Sequence, residues 1–162
     1  MKKLTLLTLI LCLCQSIQSY ATSSITSSIE KNSKREIKKE ILAANTAFKK
    51  RENSLGIKYI KKAADNGDSD IQLFYALILH DGRYEVEPDI KQAEKYYKLA
   101  ADQNNKEAQY IYSSLLRGGE GVKENLKESL KYLKKAAYNG HTKAQSLLDT
   151  FIDNLIDAVA VN

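Results

Sequence analysis

The chain has 162 residues, of which 43% are hydrophobic, and its formal net charge is +5 at pH 7. This length suits one domain with a continuous core and is too short for two large ones. So mild an excess of positive charge does not indicate a nucleic-acid-binding protein.

The first 21 residues have the pattern of a secretory signal peptide. Residues 1–3 give a positive start, residues 4–13 form an almost unbroken apolar run, and residues 19–21 fit the small-residue rule for cleavage before Thr22. A membrane anchor is the alternative, but the apolar run is short for a membrane span. We therefore predict export to the periplasm or the medium, without stable membrane insertion after cleavage.

Both cysteines of the chain lie inside this predicted signal peptide. Lipid attachment at Cys12 or Cys14 is a further alternative, which the sequence disfavours because leucine precedes each cysteine where a lipoprotein signal has a small residue. Cleavage would leave no cysteine, 23 basic and 20 acidic side chains. The stability of the exported chain must then come from packing without disulfides.

Residues 22–33 are rich in serine and threonine and have little to bury, which predicts a flexible leader. Structure is expected to begin near Lys34 with an amphipathic helix that caps the fold. The apolar positions of this helix are Ile37, Ile41, Leu42, Ala44 and Phe48. A second helix follows from about Leu55 and is predicted to end at Asn66-Gly67, because glycine accepts the left-handed conformation found at helix ends.

A short signature recurs along the chain at intervals of 37 and 36 residues. It stands at residues 62–64, 99–101 and 135–137, as Lys-Ala-Ala or Leu-Ala-Ala, and a tyrosine precedes its first alanine by four residues each time. A second shared segment, at 71–72, 108–109 and 144–145, keeps the same intervals. Such a period predicts stacked helical units that bury their apolar faces against one another, with the recurring tyrosines packed between neighbours.

Two capping signals mark the start of the second helix in each unit. Asp89 precedes Gln92 by three residues and Asn125 precedes Glu128 by three, as in a capping box. Glycines before each cap suit tight turns between helices. The pattern predicts antiparallel helix pairs at 71–81 with 89–102 and at 107–117 with 125–138, and a last helix at 142–157.

In this register the chain resembles the Sel-one-like repeat family, a tetratricopeptide-like class of helix-pair solenoids. The first half of the family motif stands as Ala108, Tyr112, Ser113, Leu116, Gly119 and as Ile71, Tyr75, Ala76, Leu79, Gly82. The second half stands as Asp89, Ala93, Tyr96, Tyr97, Lys98, Ala100, Ala101 and, with two softer matches, as Asn125, Ser129, Tyr132, Leu133, Lys134, Ala136, Ala137. The third copy departs at Asp149, where a small residue is expected, so we predict a solvated terminal cap.

The resemblance implies an all-α fold, a right-handed α-α solenoid of antiparallel helix pairs. Residues 34–67 would form a partial repeat, 68–104 and 105–140 two full repeats, and 141–158 a carboxy-terminal capping helix.

The sequence shows no recognisable catalytic constellation. His80 and His141 are the only histidines and fall at different repeat positions, and no cysteine remains after cleavage to serve as nucleophile or ligand. Asp65, Asp68 and Asp70 lack the spacing, the glycine and the closing glutamate of a calcium loop, so they are expected to end one helix and cap the next. We predict that the protein is not an enzyme and has no cofactor or metal site.

In tetratricopeptide-like folds the first helix of each pair lines the concave side, so the resemblance implies a partner-binding surface there. The candidate positions are Asp70, Leu73, Leu77, His80 and Asp81 in the first full repeat, Glu107, Tyr110, Ser114 and Arg117 in the second, and Lys143, Ser146 and Thr150 in the capping helix. Because the helix at 71–79 is apolar nearly all round, Leu73 and Leu77 are expected to meet either the opening helix or a partner.

The predicted function is that of an exported module that binds another protein or a peptide, and not nucleic acid. The resemblance implies roles as scaffolds, regulators of envelope signalling, host-contact factors, or immunity proteins that neutralise an effector toxin delivered between bacteria. A hydrolase of cell-wall or β-lactam substrates is the alternative from another class. Relatives discussed in that role carry paired cysteines, which the exported chain would lack.

Overall fold

The computed structural model describes the backbone of residues 2–119 and 122–160 and the side chains of residues 26–119 and 122–153. Every element in the described residues is a helix: α1 Lys2–Lys49, α2 Asn53–Asp65, α3 Ser69–Asp81, α4 Ile90–Asp102, α5 Lys106–Gly118, α6 Leu126–Tyr138 and α7 Thr142–Ala160. The helices pack in chain order, with α1 against α2, α3 against α4 and α5 against α6, and each pair contacts the next. The all-α solenoid predicted from the sequence is confirmed.

Helix lengths follow the repeat. Helices α2 to α6 all have 13 residues, and α3 to α6 begin and end within two residues of their predicted bounds. Gly67, Asn104 and Gly140 stand at one repeat position and all have positive φ, of 98°, 64° and 78°. A left-handed residue after each second helix thus turns the chain into the next unit.

Helix α1 is longer than predicted. Residues 26–33, expected to be a flexible leader, are helical and continuous with the rest of α1. The hydroxyl of Ser33 donates to the carbonyl oxygen of Asn66 at 3.1 Å, and Ile29 and Ile37 line the same groove beside the α2–α3 turn. These contacts tie the segment before Lys34 to the α2–α3 turn. The predicted signal peptide lies outside the residues whose side chains are described.

Helix α1 packs on α2 through a narrower face than expected. Ile37, Ala44 and Ala47 are buried, but Leu42 is 69% exposed and does not belong to the buried face. The buried carboxylate of Glu40 accepts a hydrogen bond from Lys62 Nζ at 2.6 Å. A buried charge needs such a partner, so this ion pair fixes how α1 sits on α2.

One tyrosine in each second helix joins neighbouring repeats. Tyr132 is 1% exposed, and its hydroxyl donates to Asp102 Oδ1, at the end of the preceding second helix, at 2.6 Å. Its ring also meets the ring of Tyr112 edge to face, with centroids 4.8 Å apart. The same contacts recur one repeat earlier, between Tyr96, Asp65 and Tyr75. The predicted packing of tyrosines between repeats is confirmed at these two positions, whereas Tyr59, the third recurring tyrosine, is only half-buried against the core cluster.

The acceptor of the tyrosine hydroxyl is an ionised carboxylate. Burial alone would raise the pKa of Asp102, but hydrogen bonds from Lys98 and Tyr132 outweigh it and hold that pKa below its ordinary value of 3.8. Burial, followed by the bond to Asp102, raises the pKa of Tyr132. The tyrosine is therefore the donor and the aspartate the acceptor, which makes this a charge-assisted bond.

Buried glutamines satisfy the carbonyl groups at the ends of the second helices. The Gln109 side-chain amide donates to the carbonyl oxygen of Ala101 at 3.0 Å, and its Oε1 accepts from Asn139 Nδ2 at 2.9 Å. The preceding repeat has the same arrangement at Gln72, Ala64 and Gln103. Each glutamine thus ties the first helix of one unit to two second helices without leaving its own polar atoms unpaired.

Small residues stand where helices approach most closely. Ser129 Oγ donates to the carbonyl oxygen of Ser113 at 2.6 Å, a contact across the α5–α6 pair that a larger side chain would prevent. The motif alanines Ala76, Ala93, Ala100 and Ala136 are all fully buried. Close packing of this kind leaves no room for larger side chains.

The caps of the second helices work differently from a complete capping box. Asp89 and Asn125 accept from the backbone amides of Gln92 and Glu128, as predicted. The backbone amides of the two cap residues, however, donate to carbonyl oxygens of the preceding helix, at 2.8 Å in both cases. The caps therefore also hold the two helices of a pair together.

The repeating contacts stop at α6 and α7. Tyr138 occupies the position of Asp65 and Asp102 and is 92% exposed. Gln145 occupies the position of the buried glutamines but donates to Asp149 on its own helix, at 2.9 Å. Asp149 is exposed, in agreement with the predicted solvated cap.

Replacing Tyr132 with alanine should remove a buried ring and lower the free energy of unfolding by about 3 to 5 kcal/mol. The matched control is Tyr138→Ala in the same helix, which should change it by less than about 0.5 kcal/mol because that ring is exposed. Thermal or urea unfolding measures both. Equal effects of the two substitutions would show that Tyr132 does not join the repeats.

Candidate functional site

The predicted partner-binding residues lie on or at the ends of the first helices α3, α5 and α7. The structure divides them into side chains packed against the core, side chains bonded to a neighbouring repeat, and side chains that face solvent.

Two apolar members of the set are mainly internal. Leu73 and Leu77 are half-buried and pack against the central core cluster, which includes Ala44 of α1. His80 is also half-buried, and its ring meets the ring of Tyr97 edge to face, with centroids 5.9 Å apart. The apolar character of α3 is therefore largely explained by packing within the stack.

Polar side chains connect successive first helices near their amino termini. Asp70 Oδ1 accepts a hydrogen bond from Asn105 Nδ2 at 2.8 Å. One repeat later, Glu107 Oε2 lies 3.0 Å from His141 Nε2. Asn105 and His141 are separated by one repeat, and so are Asp70 and Glu107, so the contact itself is periodic.

His141 has a structural role that the sequence analysis missed. It stands at the repeat position of Asp68 and Asn105, which cap α3 and α5. Its Nδ1 accepts from the backbone amide of Ala144 at 3.1 Å, so the imidazole caps α7. The tautomer that fits both contacts has its proton on Nε2, which then donates to Glu107 while Nδ1 accepts. The periodic position of Asp68 and Asn105 was the signal that could have identified this role.

The ring of Tyr110 completes this cluster. It stacks on the His141 ring with centroids 4.4 Å apart and an interplanar angle of 19°. Tyr110 is half-buried and packs against the core cluster of α6 and α7, and the rest of its ring remains accessible. An aromatic ring held in place by its neighbours loses little entropy when it binds a partner, so it suits an interface.

The remaining residues of the set face solvent or bond locally. Asp81 pairs with Arg83, and the hydroxyls of Ser146 and Thr150 donate to carbonyl groups of their own helix. Ser114 is half-buried, and Lys143 and Arg117 are exposed. Of the polar and aromatic members of the set, Glu107 and Tyr110 meet in one cluster, at His141.

Arg117 lies at the edge of an apolar cleft that sequence analysis did not predict. The cleft has a volume of about 260 Å³ and is lined by Arg117, Leu126, Ser129, Leu130, Leu133, Leu147 and Phe151. Residues 126, 130 and 133 recur at helical spacing on α6 and could have indicated an apolar face. The sequence could not show that α7 leaves this face partly open.

The described side chains offer little for metal or acid-base chemistry. No group of three or more metal-ligating residues occurs among them. His80 Nδ1 is buried without a hydrogen-bond partner in this part of the chain, and both nitrogens of His141 are engaged. Within the described residues, no helix is both long and apolar enough to cross a membrane.

Comparison with protein families finds three consecutive matches. The Sel1 repeat profile matches residues 48–68, 69–105 and 106–141. The last two matches lie within one residue of the repeats expected from the sequence. Comparison with the curated proteins finds no match.

Solved structures with the same fold include two bacterial proteins. One is a Sel1 repeat protein from Oxalobacter formigenes, with 29% identity and a TM-score of 0.52 over 55% of this chain and 35% of that protein. The other is cysteine rich protein B from Helicobacter pylori, with 23% identity and a TM-score of 0.56 over 70% of this chain and 96% of that protein. The present chain thus spans about a third of the first protein, and its likeness to the second concerns the fold.

Replacing His141 with alanine should remove the cap of α7 and cost about 1 kcal/mol of stability. The matched control is His141→Asn, which puts the capping residue of α5 at the same position and should retain most of that stability. Thermal unfolding followed by circular dichroism compares the variants. An alanine variant as stable as the asparagine variant would contradict the capping role.

Proposed function

Because this chain belongs to the Sel1 repeat family, whose helix pairs serve as protein–protein interaction modules, we propose that it is an exported binding protein. Its partner is another protein or a peptide, held along the row of first helices α3, α5 and α7. The amino-terminal residues 1–21 direct export and are removed.

The observation that carries this proposal is the cluster around Tyr110. The ring is fixed against His141, which is in turn fixed by Glu107 and by the backbone of α7. Arg117 lies seven residues further along α5, two helical turns away and therefore on the same side of the helix. Tyrosine and arginine are enriched among the residues that contribute most to protein interfaces.

The exposed polar residues of α7 extend the same row. Lys143, Ser146 and Thr150 are all exposed, and the two hydroxyls donate to carbonyl groups of their own helix. Together with Tyr110 and Arg117 they give an aromatic centre with a polar edge, which is the usual composition of a transient interface. The half-buried Leu73 and Leu77 support the row from within.

An immunity protein that neutralises an effector toxin is one form that such a binder can take. A hydrolase of cell-wall or β-lactam substrates is the alternative of another class. The capping role of His141 favours a binder, because it engages both nitrogens that an acid-base catalyst would need. Protection of susceptible cells from a toxin would identify an immunity protein, whereas β-lactam or peptidoglycan turnover that is lost with His80→Gln and His141→Gln would identify a hydrolase.

Binding along the first helices predicts position-dependent crosslinking. A photoreactive amino acid at Ser146 or Ser114 should form a covalent adduct with the partner in the native host, and one at Lys91 should not, because Lys91 lies on α4. Once the partner is identified by mass spectrometry, Arg117→Ala should weaken its binding by about tenfold, which corresponds to about 1.4 kcal/mol. Lys91→Ala is the matched control. Crosslinking only from position 91 would show that the partner uses the second helices.

Export predicts a processed amino terminus. Mass spectrometry of the protein isolated from its host should find Thr22 at or near the first position, because the small-residue rule puts cleavage after Ala21. Replacing Ala21 with a bulky residue should block or shift the cleavage. An intact Met1 in a cytoplasmic fraction would contradict export. It would not bear on the proposed interaction surface, which the crosslinking experiment tests.

A further inference from the structure

Helix α7 carries an apolar face that no later helix covers in the described part of the chain. Phe151 and Ile152 are each 51% exposed. The 36-residue interval puts them at the positions of Leu115 and Leu116, which are each 4% exposed. Leu115 and Leu116 belong to the central core cluster, and both α4 and α6 pack on the helix that carries them.

The two covered faces show what kind of element fits here. In α5 the face includes Tyr112, and α6 fills it with the buried ring of Tyr132. In α3 the equivalent face includes Tyr75, which α4 covers with the ring of Tyr96. Each covering element is an amphipathic helix of 13 residues. The face of α7 has the same spacing, because residues 148, 151 and 152 lie 36 residues after 112, 115 and 116. A leucine stands at position 148, where α5 has Tyr112.

The apolar cleft between α6 and α7 adjoins this face. Phe151 belongs to both, and Leu126 on the α6 side of the cleft is 60% exposed. A helix laid on α7 would therefore also lie beside α6, as Tyr96 and Tyr132 of the covering helices reach the ends of the preceding second helices. An exposed apolar surface of this form suits the helix-in-groove mode of recognition.

The rim of the cleft is positively charged. Arg117 lines it directly, and Lys127 and Lys134 lie three residues before and four residues after Leu130, next to it on the surface of α6. All three are exposed, and none forms an ion pair with a described side chain. Asp149 and Asp153 lie two residues from Phe151, on the side of α7 away from the cleft. Asp149 also lies three residues before Ile152, so it borders the opposite edge of the α7 face.

We propose that this end of the stack binds an acidic amphipathic helix of another protein, in the place that an eighth helix would occupy. The apolar side of the partner helix packs on Phe151, Ile152 and the cleft. Its acidic side chains pair with Arg117, Lys127 and Lys134, which select the partner and set its orientation. The surface shares only Arg117 with the row of first helices and does not depend on the proposed function.

Two stapled helical peptides test the proposal against the full chain in purified form. Both peptides are based on the sequence of α6, residues 126–138, and keep its apolar residues. In the acidic peptide every lysine of α6 is replaced by glutamate, and in the basic peptide the lysines are retained. Fluorescence anisotropy should show the acidic peptide binding at least about tenfold more tightly than the basic one. The difference should shrink with added salt, because the pairing charges are exposed.

Variants of the protein locate the binding. Phe151→Ser should weaken binding of the acidic peptide by about tenfold or more. The control is Leu42→Ser, which replaces an exposed apolar residue of α1 and should leave the affinity unchanged. Lys134→Gln should reduce the preference for the acidic peptide without lowering the melting temperature, and it tests the proposal even if Phe151→Ser fails to fold.

Three outcomes would overturn the proposal. In the first, neither peptide binds. In the second, both bind equally and Lys134→Gln has no effect, which would exclude charge selection. In the third, sedimentation velocity shows a dimer that Phe151→Ser disrupts and Leu42→Ser does not, so that a second copy of the chain is the occupant.

Discussion

The buried tyrosine of α4 and of α6 is the contact on which the rest of the stack depends. A helix pair of about 36 residues cannot bury its own apolar face, so it is stable only against a neighbour. Tyr132 meets this need with its ring, which fills the space beside Tyr112, and with its hydroxyl, which reaches Asp102 of the preceding repeat. Because the bond crosses the boundary between repeats, it fixes their spacing as well as their packing.

Polar contacts then set the angle at which the units follow one another. The buried Gln109 links a first helix to the ends of two second helices, and His141 caps α7 while it reaches back to Glu107. These bonds are directional, whereas apolar burial is not. The glutamines, caps and left-handed turn residues therefore give the solenoid one geometry among the many that apolar packing alone would allow.

The two proposed interaction surfaces lie where the repeating contacts are incomplete. Along the first helices, Tyr110 and Arg117 leave part of their surface free of the stack. At α7 the repeat pattern continues in the sequence, but no covering helix follows in the described residues, so Phe151 and Ile152 remain half-exposed. Both proposed interactions thus use positions that a neighbouring repeat covers elsewhere in the stack. A bound protein would cover these positions in the same manner as another repeat.

The sequence by itself determined the helices, their pairing and the repeat. Alanine pairs, tyrosines and caps at fixed intervals are local signals, and the same signals in Tyr96 and Tyr132 predicted buried rings that the structure confirms. Whether a side chain is free could not be derived in this way, because exposure depends on the neighbours that the fold supplies. Leu73 and Leu77 fit an interface by pattern but pack against the core. His141 looked isolated among the candidate catalytic residues, yet it caps α7 and contacts a residue one repeat away. The helical segment before Lys34 and the apolar cleft beside Phe151 likewise depend on contacts between distant parts of the chain, which only the tertiary structure decides.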